Sequence, residues 1–600
     1  MMDDILEQRF QRRTLILAGL KGSLLFGLIG RLFHLQILQK NHFKNLSDKN
    51  RIHNFLIIPD RGNIFDQKGI LLAHSNNEYF GLIDRENVEN IDDLIEHLLK
   101  IIDLSDKEIK IIRSQFKKRK SLEPIIFKEN LNIKDMCKLE VHLPELPGVR
   151  CEKIRMRYYP DPLPFSHVLG FVGSVSEKEK KNNKNPLLML PEFKIGKTGL
   201  EKKFDSILQG QGGARQVEIN AYRKIIRTLS IQESKMGQSL NLTIDFDLQK
   251  KIYELLEPHQ SGACALMDVH TGALKAFVSY PGFDTNLFLH RVYKNTWKEL
   301  HDSPYRPLIN KMISGQYAPG STFKMIVALT ALEKKIITPS DCFTCEGHLE
   351  YKNHKFHCWK WQYGGHGAVN VEQAIASSCD VFFYNLALRL DIDDISDMAK
   401  RFGLSIETEI ELLYEKKGLM PTKEWKLKRY KKKWHTGDTI NASIGQGYLL
   451  ATPIQLCRMI SCLANGGRLI KPHLVKNDVP ESRVIDIHPD HLKIVLNGMT
   501  QAVNKPFGTS YNVRSLDKAY QFSGKTGSTQ VSRISEQDRI DKTHNKRPWH
   551  LKEHAFFVGY GPSENPKYGI CVFIEHGGSG GKIAAPLARD ILLAAEELLK

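Results

Sequence analysis

Apolar positions fall into two patterns along this chain: one long run near the N-terminus, then many short ones. Thr14 to Leu38 is mostly apolar, interrupted by Lys21, Arg31 and His34, and about 20 such residues suffice to cross a bilayer. A central lysine costs about 2.5 to 3.5 kcal/mol on insertion scales, part of it relieved by snorkelling. The run therefore predicts one membrane-spanning helix. A cleaved signal peptide is the main alternative, yet no small-residue cleavage site follows the apolar core, which favours an uncleaved anchor. A buried soluble helix would have to bury Lys21 and Arg31. Arg9, Arg12 and Arg13 stand on one side and Lys40, Lys44, Lys49 and Arg51 on the other, so charge does not set the orientation.

The later runs are short and change period. Ser239-Leu-Asn-Leu-Thr-Ile-Asp245 alternates as a strand, and Leu248 to Leu256 follows as a helix. Further strands are expected at Ala263 to Met267, Leu274 to Ser279, His554 to Tyr560 and Tyr568 to Glu575, with a closing helix from Ala585 to Leu599. Strands from both ends of this region with helices between them predict an α+β domain, an antiparallel sheet faced by helices. Before Gly237 the pattern differs: charged helical stretches such as Val88 to Lys118 alternate with Pro-rich breaks around Pro160 to Pro164. A chain of 600 residues should hold more than one domain.

The formal charge of +18 invites a nucleic-acid reading. Basic residues are scattered, however, and the densest run, Lys423 to Lys433, reads as a loop with a solvated face. No zinc-finger, RNA-recognition or helix-turn-helix pattern accompanies it. Nucleic acid is not an expected partner.

Chemistry enters with three motifs in one order: Ser321-Thr-Phe-Lys324, Ser378-Cys-Asp380 and Lys525-Thr-Gly527. A serine and a lysine three residues on share one face at a helix start, so the amine can take the hydroxyl's proton. An unperturbed lysine, with a pKa of about 10.4, is charged; burial and a second cation both favour its neutral form. Lys525 is placed to be that cation. Each motif alone is worth little, because the chain also holds Ser114-Gln-Phe-Lys117 and Lys197-Thr-Gly199. Context separates them. Ser321 lies between the turn residues Tyr317-Ala-Pro-Gly320 and the apolar run Met325 to Leu332, whereas Ser114 lies in a basic stretch. Lys525 heads strand company at an expected sheet edge; Lys197 precedes the serine motif and lacks the glycine spacing of a phosphate loop.

In this order the motifs resemble those of the penicillin-binding proteins and serine β-lactamases. Arg61-Gly-Asn-Ile-Phe-Asp-Gln-Lys-Gly69, Gly262 to Gly272, Ser443-Ile-Gly-Gln-Gly447 to Pro453, and His554 to Gly559 are similar to segments of class B penicillin-binding proteins, the monofunctional peptidoglycan D,D-transpeptidases. The resemblance covers about residues 50 to 600. Asp380, where division-type members usually carry Asn, and the cysteine-rich segment 342 to 379 point to the elongation type. One departure is Gln67, where the family usually has Arg; read by itself, that segment is a turn held by Gly62 and Gly69.

This resemblance implies a cytoplasmic tail (1–13), a transmembrane anchor (14–38), a pedestal of the penicillin-binding-protein dimerisation type (39–235) and a five-stranded transpeptidase domain (236–600). It implies a single-pass protein of the cytoplasmic (inner) membrane with its catalytic domain in the periplasm. Ser321 would be acylated by the penultimate D-Ala of a stem peptide or by a β-lactam, with Lys324 as general base. Ser378 would relay a proton to the leaving nitrogen, and Asp380 would orient Lys324 or the substrate amide. Lys525 would supply positive charge, and Thr526 and Ser528 would bind the substrate carboxylate. Gly527 would let the strand approach closely, and the Ser321 and Ser528 N–H groups would form an oxyanion hole. Implied partners are a membrane glycosyltransferase of the shape, elongation, division and sporulation group and other elongation-complex proteins. Two rivals are a β-lactam-hydrolysing enzyme or drug sensor, and a non-catalytic scaffold activating the glycosyltransferase. The long pedestal counts against a hydrolase, the lack of a His-Glu-x-x-His protease motif against the usual sensor, and the intact trio against the scaffold.

Ten cysteines include Cys342, Cys345, Cys358 and Cys379 in one segment, with His348, His354, His357 and His366 between them. Disulfides are the default for an exported domain. Cys345, Cys358, His366 and Cys379 equally form a thiolate-rich set suited to tetrahedral zinc. Elongation-type relatives carry a metal here, and their ligand positions match Cys345-Glu-Gly, Cys358-Trp, Gly365-His-Gly and Ser378-Cys-Asp. The resemblance thus implies one structural zinc per chain. Cysteines 137, 151, 264, 457, 462 and 571 read mostly as core.

Overall fold

The structure, a computed structural model, describes residues 2–41, 51–117, 124–183, 185–190, 192–219, 225–290, 294–352, 354–476, 481–532 and 547–599. Lys44, Lys49 and Lys118 lie outside them. Two compact units divide the chain, 1–60 with 210–236 and 61–209 with 237–600.

In the first unit a helix runs over Met2–Phe33 and widens into a π-turn at His34–Leu38. Phe10–Leu38 is long and apolar enough to cross a membrane, and none of its residues is buried in the protein. The Thr14 and Ser23 hydroxyls donate to the carbonyls of Phe10 and Gly19, four residues back, which satisfies them without water. Strands Ile52–Ile57, Gly213–Ile219 and Ile225–Gln232 form an antiparallel sheet in the same unit.

The second unit begins with a sheet centred on Leu71–Ile83, which pairs with Ile125–Leu131 and Val149–Tyr158. The charged stretch after it folds as two helices, Ile91–Ile101 capped by Asn90 and Asp106–Phe116 started by a Ser105/Glu108 capping box. Asp66 holds the early turn: Oδ1 accepts the N–H groups of Lys68 and Ile70, and Gly69 takes φ +88°. Gln67 donates to Asp245 and accepts from Lys275, so it bridges this turn to the next sheet. Arg61 and Arg157 each place Nε 2.6 Å from the buried carboxylate of Glu201, which lies just after Lys197-Thr-Gly199. Burial pushes Glu201 up, but the two guanidinium groups outweigh it and hold the carboxyl below its usual range.

The larger sheet consists of β1 (Gly262–Asp268), β2 (Leu274–Tyr280), β3 (Ser523–Thr529), β4 (His554–Gly561) and β5 (Tyr568–Ile574), in the order β2-β1-β5-β4-β3, every pair antiparallel. Its helices are α1 (Phe246–Leu256), α2 (Lys324–Glu333), α3 (Asp380–Ala387), α4 (Pro453–Ala464), α5 (Pro489–Asn504) and α6 (Ala585–Leu598). Side chains alternate across the sheet. Ala265, Phe556, Val558 and Phe573 join the core of α2, α3 and α4, and Cys264, Phe557, Val572 and Ile574 join that of α1 and α6. Both faces are covered, so β4 and β5 are buried at every residue and read as unbroken apolar runs.

Two expectations change. Only Leu240–Asn241 of the segment 239 to 245 is strand; Leu242, Thr243 and Asp245 instead donate their N–H groups to three separate segments, at Phe65, Leu474 and Lys275. The basic run expected as a loop contains a helix, Lys423–Tyr430, because Thr422 caps it by accepting the Trp425 N–H. Of the cysteines read as core, 264, 457, 462 and 571 are buried, whereas Cys137 is exposed and Cys151 half-buried.

Candidate active site

A single 3-10 turn, Gly320–Phe323, presents Ser321, and α2 starts at Lys324. Gly320 adopts φ +58° and donates its N–H to the Gly445 carbonyl at 2.9 Å. A side chain at Gly445 would place its Cβ 2.1 Å from the Gly320 oxygen, so the Ser443-Ile-Gly segment backs the serine turn only with glycine there. On the other side the turn meets the sheet edge. A Cβ at Gly527 would lie 2.9 Å from Thr322 Cγ2 and 3.0 Å from the Pro319 oxygen, and Thr529 Oγ1 donates to the Ala318 carbonyl at 2.8 Å.

The three motifs converge on one hydroxyl. Ser378 Oγ accepts from Lys324 Nζ at 3.2 Å and from Lys525 Nζ at 2.8 Å. Lys324 also donates to Asp380 Oδ1 at 2.7 Å and to the Ser378 carbonyl at 2.9 Å, with the Phe383 ring 5.2 Å away. Both lysines are wholly buried. Burial and then the charge of Lys324 push Lys525 well below the ordinary lysine range. The downward push falls on Lys525, the lysine expected to supply the cation. Burial raises Asp380 while Lys324 draws it down, and the balance lies above the ordinary carboxylate value. Ser378 itself sits in the left-handed region at φ +55°, a conformation that costs a non-glycine residue about 1 to 3 kcal/mol.

Thr526 Oγ1 donates to Thr509 Oγ1 at 3.1 Å, and the exposed Ser528 accepts the Gly580 N–H at 3.1 Å. Thr509, whose N–H donates to the Ala376 carbonyl, belongs to no motif and escaped sequence reasoning. The decoys lie apart from this set: Ser114 is exposed on its helix and bonded to the Ile111 carbonyl, and Lys197 pairs with Glu179.

Cys345, Cys358, His366 and Cys379 come together, their ligand atoms all within 4.8 Å of one another. His366 Nδ1 stands 3.6 Å from Cys345 Sγ and 3.5 Å from Cys358 Sγ. A tetrahedron with Zn–S of about 2.3 Å and Zn–N of about 2.0 to 2.1 Å has S···N edges of about 3.6 Å, so the donor set fits zinc. All ten cysteines carry free thiols, and Cys342 is exposed outside the set. Hydrogen bonding with Cys358 and Cys379 drives the Cys345 thiol down, while Cys345 and Cys358 together drive Cys379 up. Cys379 is also the N-cap residue of α3, with no side-chain hydrogen bond to the helix N–H groups. The segment reaches the second motif directly: the Trp359 N–H donates to Asp380 Oδ2 at 3.1 Å, and its indole to the Ser377 carbonyl at 3.1 Å.

A serine turn at the edge of a helix-covered antiparallel sheet, with two buried lysines meeting on a second serine, defines an active-site-serine acyltransferase. Comparison with known proteins narrows the class. The penicillin binding protein transpeptidase domain matches residues 262–593, and the penicillin-binding protein dimerisation domain residues 56–242. The chain is 34% identical to the peptidoglycan D,D-transpeptidase MrdA of Haemophilus influenzae, over 97% of this chain and 91% of the relative. It is similar to the penicillin-binding protein (PBP2) solved in complex with MreC from Helicobacter pylori, with a TM-score of 0.80, 30% identity, and 91% and 99% of the two chains covered. A structure titled as coordination of polymerization and crosslinking by a peptidoglycan synthase complex matches with a TM-score of 0.72, 27% identity, and 97% and 98% covered. The chain belongs to the class B penicillin-binding protein family, with both the transpeptidase and the dimerisation domain.

Proposed function

We infer that this chain is a peptidoglycan D,D-transpeptidase of cell elongation that cross-links stem peptides through an acyl-enzyme on Ser321. The Ser378 hydroxyl between the two buried amines carries this reading. Ser321 Oγ adds to the carbonyl of the penultimate D-Ala and gives its proton to Lys324. Lys324 accepts as the general base, and the Ser378 hydroxyl, which accepts from both amines, links it to Lys525. The Ser321 and Ser528 N–H groups face the developing oxyanion, and Thr526 and Ser528 take the terminal carboxylate. Collapse breaks the peptide bond, terminal D-Ala leaves with a proton returned through Ser378, and the amine of a second stem resolves the ester. Labelling with fluorescent penicillin tests this: the adduct should map to Ser321, vanish in Ser321→Ala and persist in Ser114→Ala. Label surviving in Ser321→Ala would overturn the reading.

Zinc on Cys345, Cys358, His366 and Cys379 would be a structural clamp, since four protein ligands leave no position for water or substrate. The exposed apolar helix supports an anchor, and a cell-wall substrate favours a catalytic domain on the periplasmic side of the inner membrane. Elongation-complex proteins are the expected partners, by likeness to the relative solved in complex with MreC; a membrane glycosyltransferase follows from coupling polymerization to crosslinking in the synthase complex.

A further inference from the structure

We propose that the basic surface from Lys428 to Lys433 is a second docking site for cell-wall peptide, one that holds carboxylates outside the acylation cleft; this rests on the transpeptidase reading above. The surface is built, not merely charged. Lys426, buried on the inner side of the Lys423–Tyr430 helix, pairs with Asp438 and lies 5.5 Å from the Trp434 ring and 5.7 Å from the Tyr448 ring. Trp425 and Tyr430 pack on the same Tyr448 ring, at 5.3 and 5.4 Å. Outward from this clamp stand Lys428, Arg429, Lys431, Lys432 and Lys433, all exposed, beside a half-exposed Tyr430. Lys428 has Glu424 as its partner at 2.6 Å. Among the described residues no carboxylate pairs with Arg429, Lys431, Lys432 or Lys433. A favourable helix dipole accounts for cations in the last turn; it does not account for the three lysines beyond it.

Position gives the patch its ligand. Tyr448 lies three residues after Gly445, whose carbonyl holds the serine turn through Gly320, and the helix Thr436–Ser443 packs on α3, which begins at Asp380. The patch therefore shares a scaffold with the nucleophile and the second motif. Inside the cleft both lysines are wholly buried and committed to Ser378 and Asp380. In the proposed reaction Thr526 and Ser528 take one substrate carboxylate there. Every uncross-linked stem ends in a D-Ala carboxylate, so the mesh that must approach Ser321 is a polyanion, and cations displaced from the cleft can retain it between acylation and transfer.

The test compares the full-length protein in detergent with an Arg429→Ser/Lys432→Ser/Lys433→Ser variant. Co-sedimentation with purified peptidoglycan sacculi should weaken about tenfold in the variant at low salt, and the difference should disappear near about 0.5 M salt. Sacculi whose carboxylates have been amidated should bind the parent no better than the variant. Penicillin acylation of Ser321 and the Tm should match the parent, which separates this result from misfolding; Lys432→Ser alone should give a smaller loss in the same direction. Equal sacculus binding by parent and variant overturns the proposal. So does a variant that loses binding only to phosphatidylglycerol vesicles, since the surface would then serve a membrane. If the parent failed to acylate at Ser321, the transpeptidase reading itself would fall, whatever the sacculi did.

Discussion

Trp359 and Lys324 hold the two oxygens of one carboxylate: the Trp359 backbone N–H reaches Asp380 Oδ2 at 3.1 Å while Lys324 Nζ takes Oδ1 at 2.7 Å. Trp359 follows Cys358 and Asp380 follows Cys379, so the cysteine segment fixes the group that orients the general base. Asp380→Ala leaves a buried ammonium without its partner, a change that costs about 3 to 5 kcal/mol when a buried pair is broken. Penicillin acylation should fall at least about 100-fold with a lower Tm. Trp359→Phe removes only the indole bond to Ser377 and keeps the backbone one; its acylation should slow less than about tenfold. Stopped-flow acylation rates on both variants check this ordering.

Ser378 carries a conformational load as well as a hydroxyl. At φ +55° glycine is favoured over any residue with a Cβ, by about 1 to 2 kcal/mol. Ser378→Gly should therefore melt higher than Ser378→Ala, although both lose the bridge between the amines and both should acylate about 10² to 10⁴ times more slowly. Identical melting of the two variants would show that the backbone there is unstrained.

What could be read before the fold was known followed the range of the interactions. The trio, the sheet order's raw strands and the closing helix were legible because nucleophile, base and strand periodicity are local signals. The four residues Cys345, Cys358, His366 and Cys379, which the fold brings together, were named through the resemblance to elongation-type relatives, whose ligand positions they match. The Trp359 bond to Asp380, the Gly445 bond to Gly320 and the Thr509 contact with Thr526 were not, since each joins residues distant in sequence through backbone groups or unremarkable side chains. The downward push on Lys525 also required burial, which spacing does not reveal.

Two buried histidines give the fold an acid limit. Burial, then the charge of Lys311, lowers His167 to about 3; burial, then His576, lowers His554 to about 3. Unfolded histidine titrates near about 6.5. Between these values the unfolded chain binds protons that the folded chain refuses, so stability falls as pH drops from about 6.5 toward 3. The slope is up to about 1.4 kcal/mol per pH unit for each histidine. His554→Asn keeps an acceptor for the His576 N–H, and His167→Gln keeps a donor to the Pro307 carbonyl. Chemical denaturation from pH 7 to 4.5 should show a shallower loss in each variant, and shallowest in the pair. A slope unchanged in both would rule out these two groups as its source.

The candidate metal-ligand set and the second motif meet at Cys379, which stands between Ser378 and Asp380. A clamp on its thiol would hold the left-handed Ser378 on one side and the Asp380 carboxylate on the other. Catalytic side chains need placement good to about half an ångström, which a closed four-ligand site can impose. Purified protein should therefore contain one zinc per chain by elemental analysis. Cys358→Ser and His366→Ala should each lose it, with a lower Tm and slower penicillin acylation at Ser321. Acylation should slow without being abolished, because zinc touches no reacting atom and the Lys324–Ser378–Lys525 chain remains. Cys342→Ser should retain the metal, since that thiol lies outside the cluster and donates to the Ser340 carbonyl. Adding zinc back to chelated parent protein should restore both Tm and acylation rate, whereas Cys358→Ser should not respond. Metal-free protein with freely alkylated thiols and full acylation activity would remove the clamp and leave the Ser321 chemistry standing.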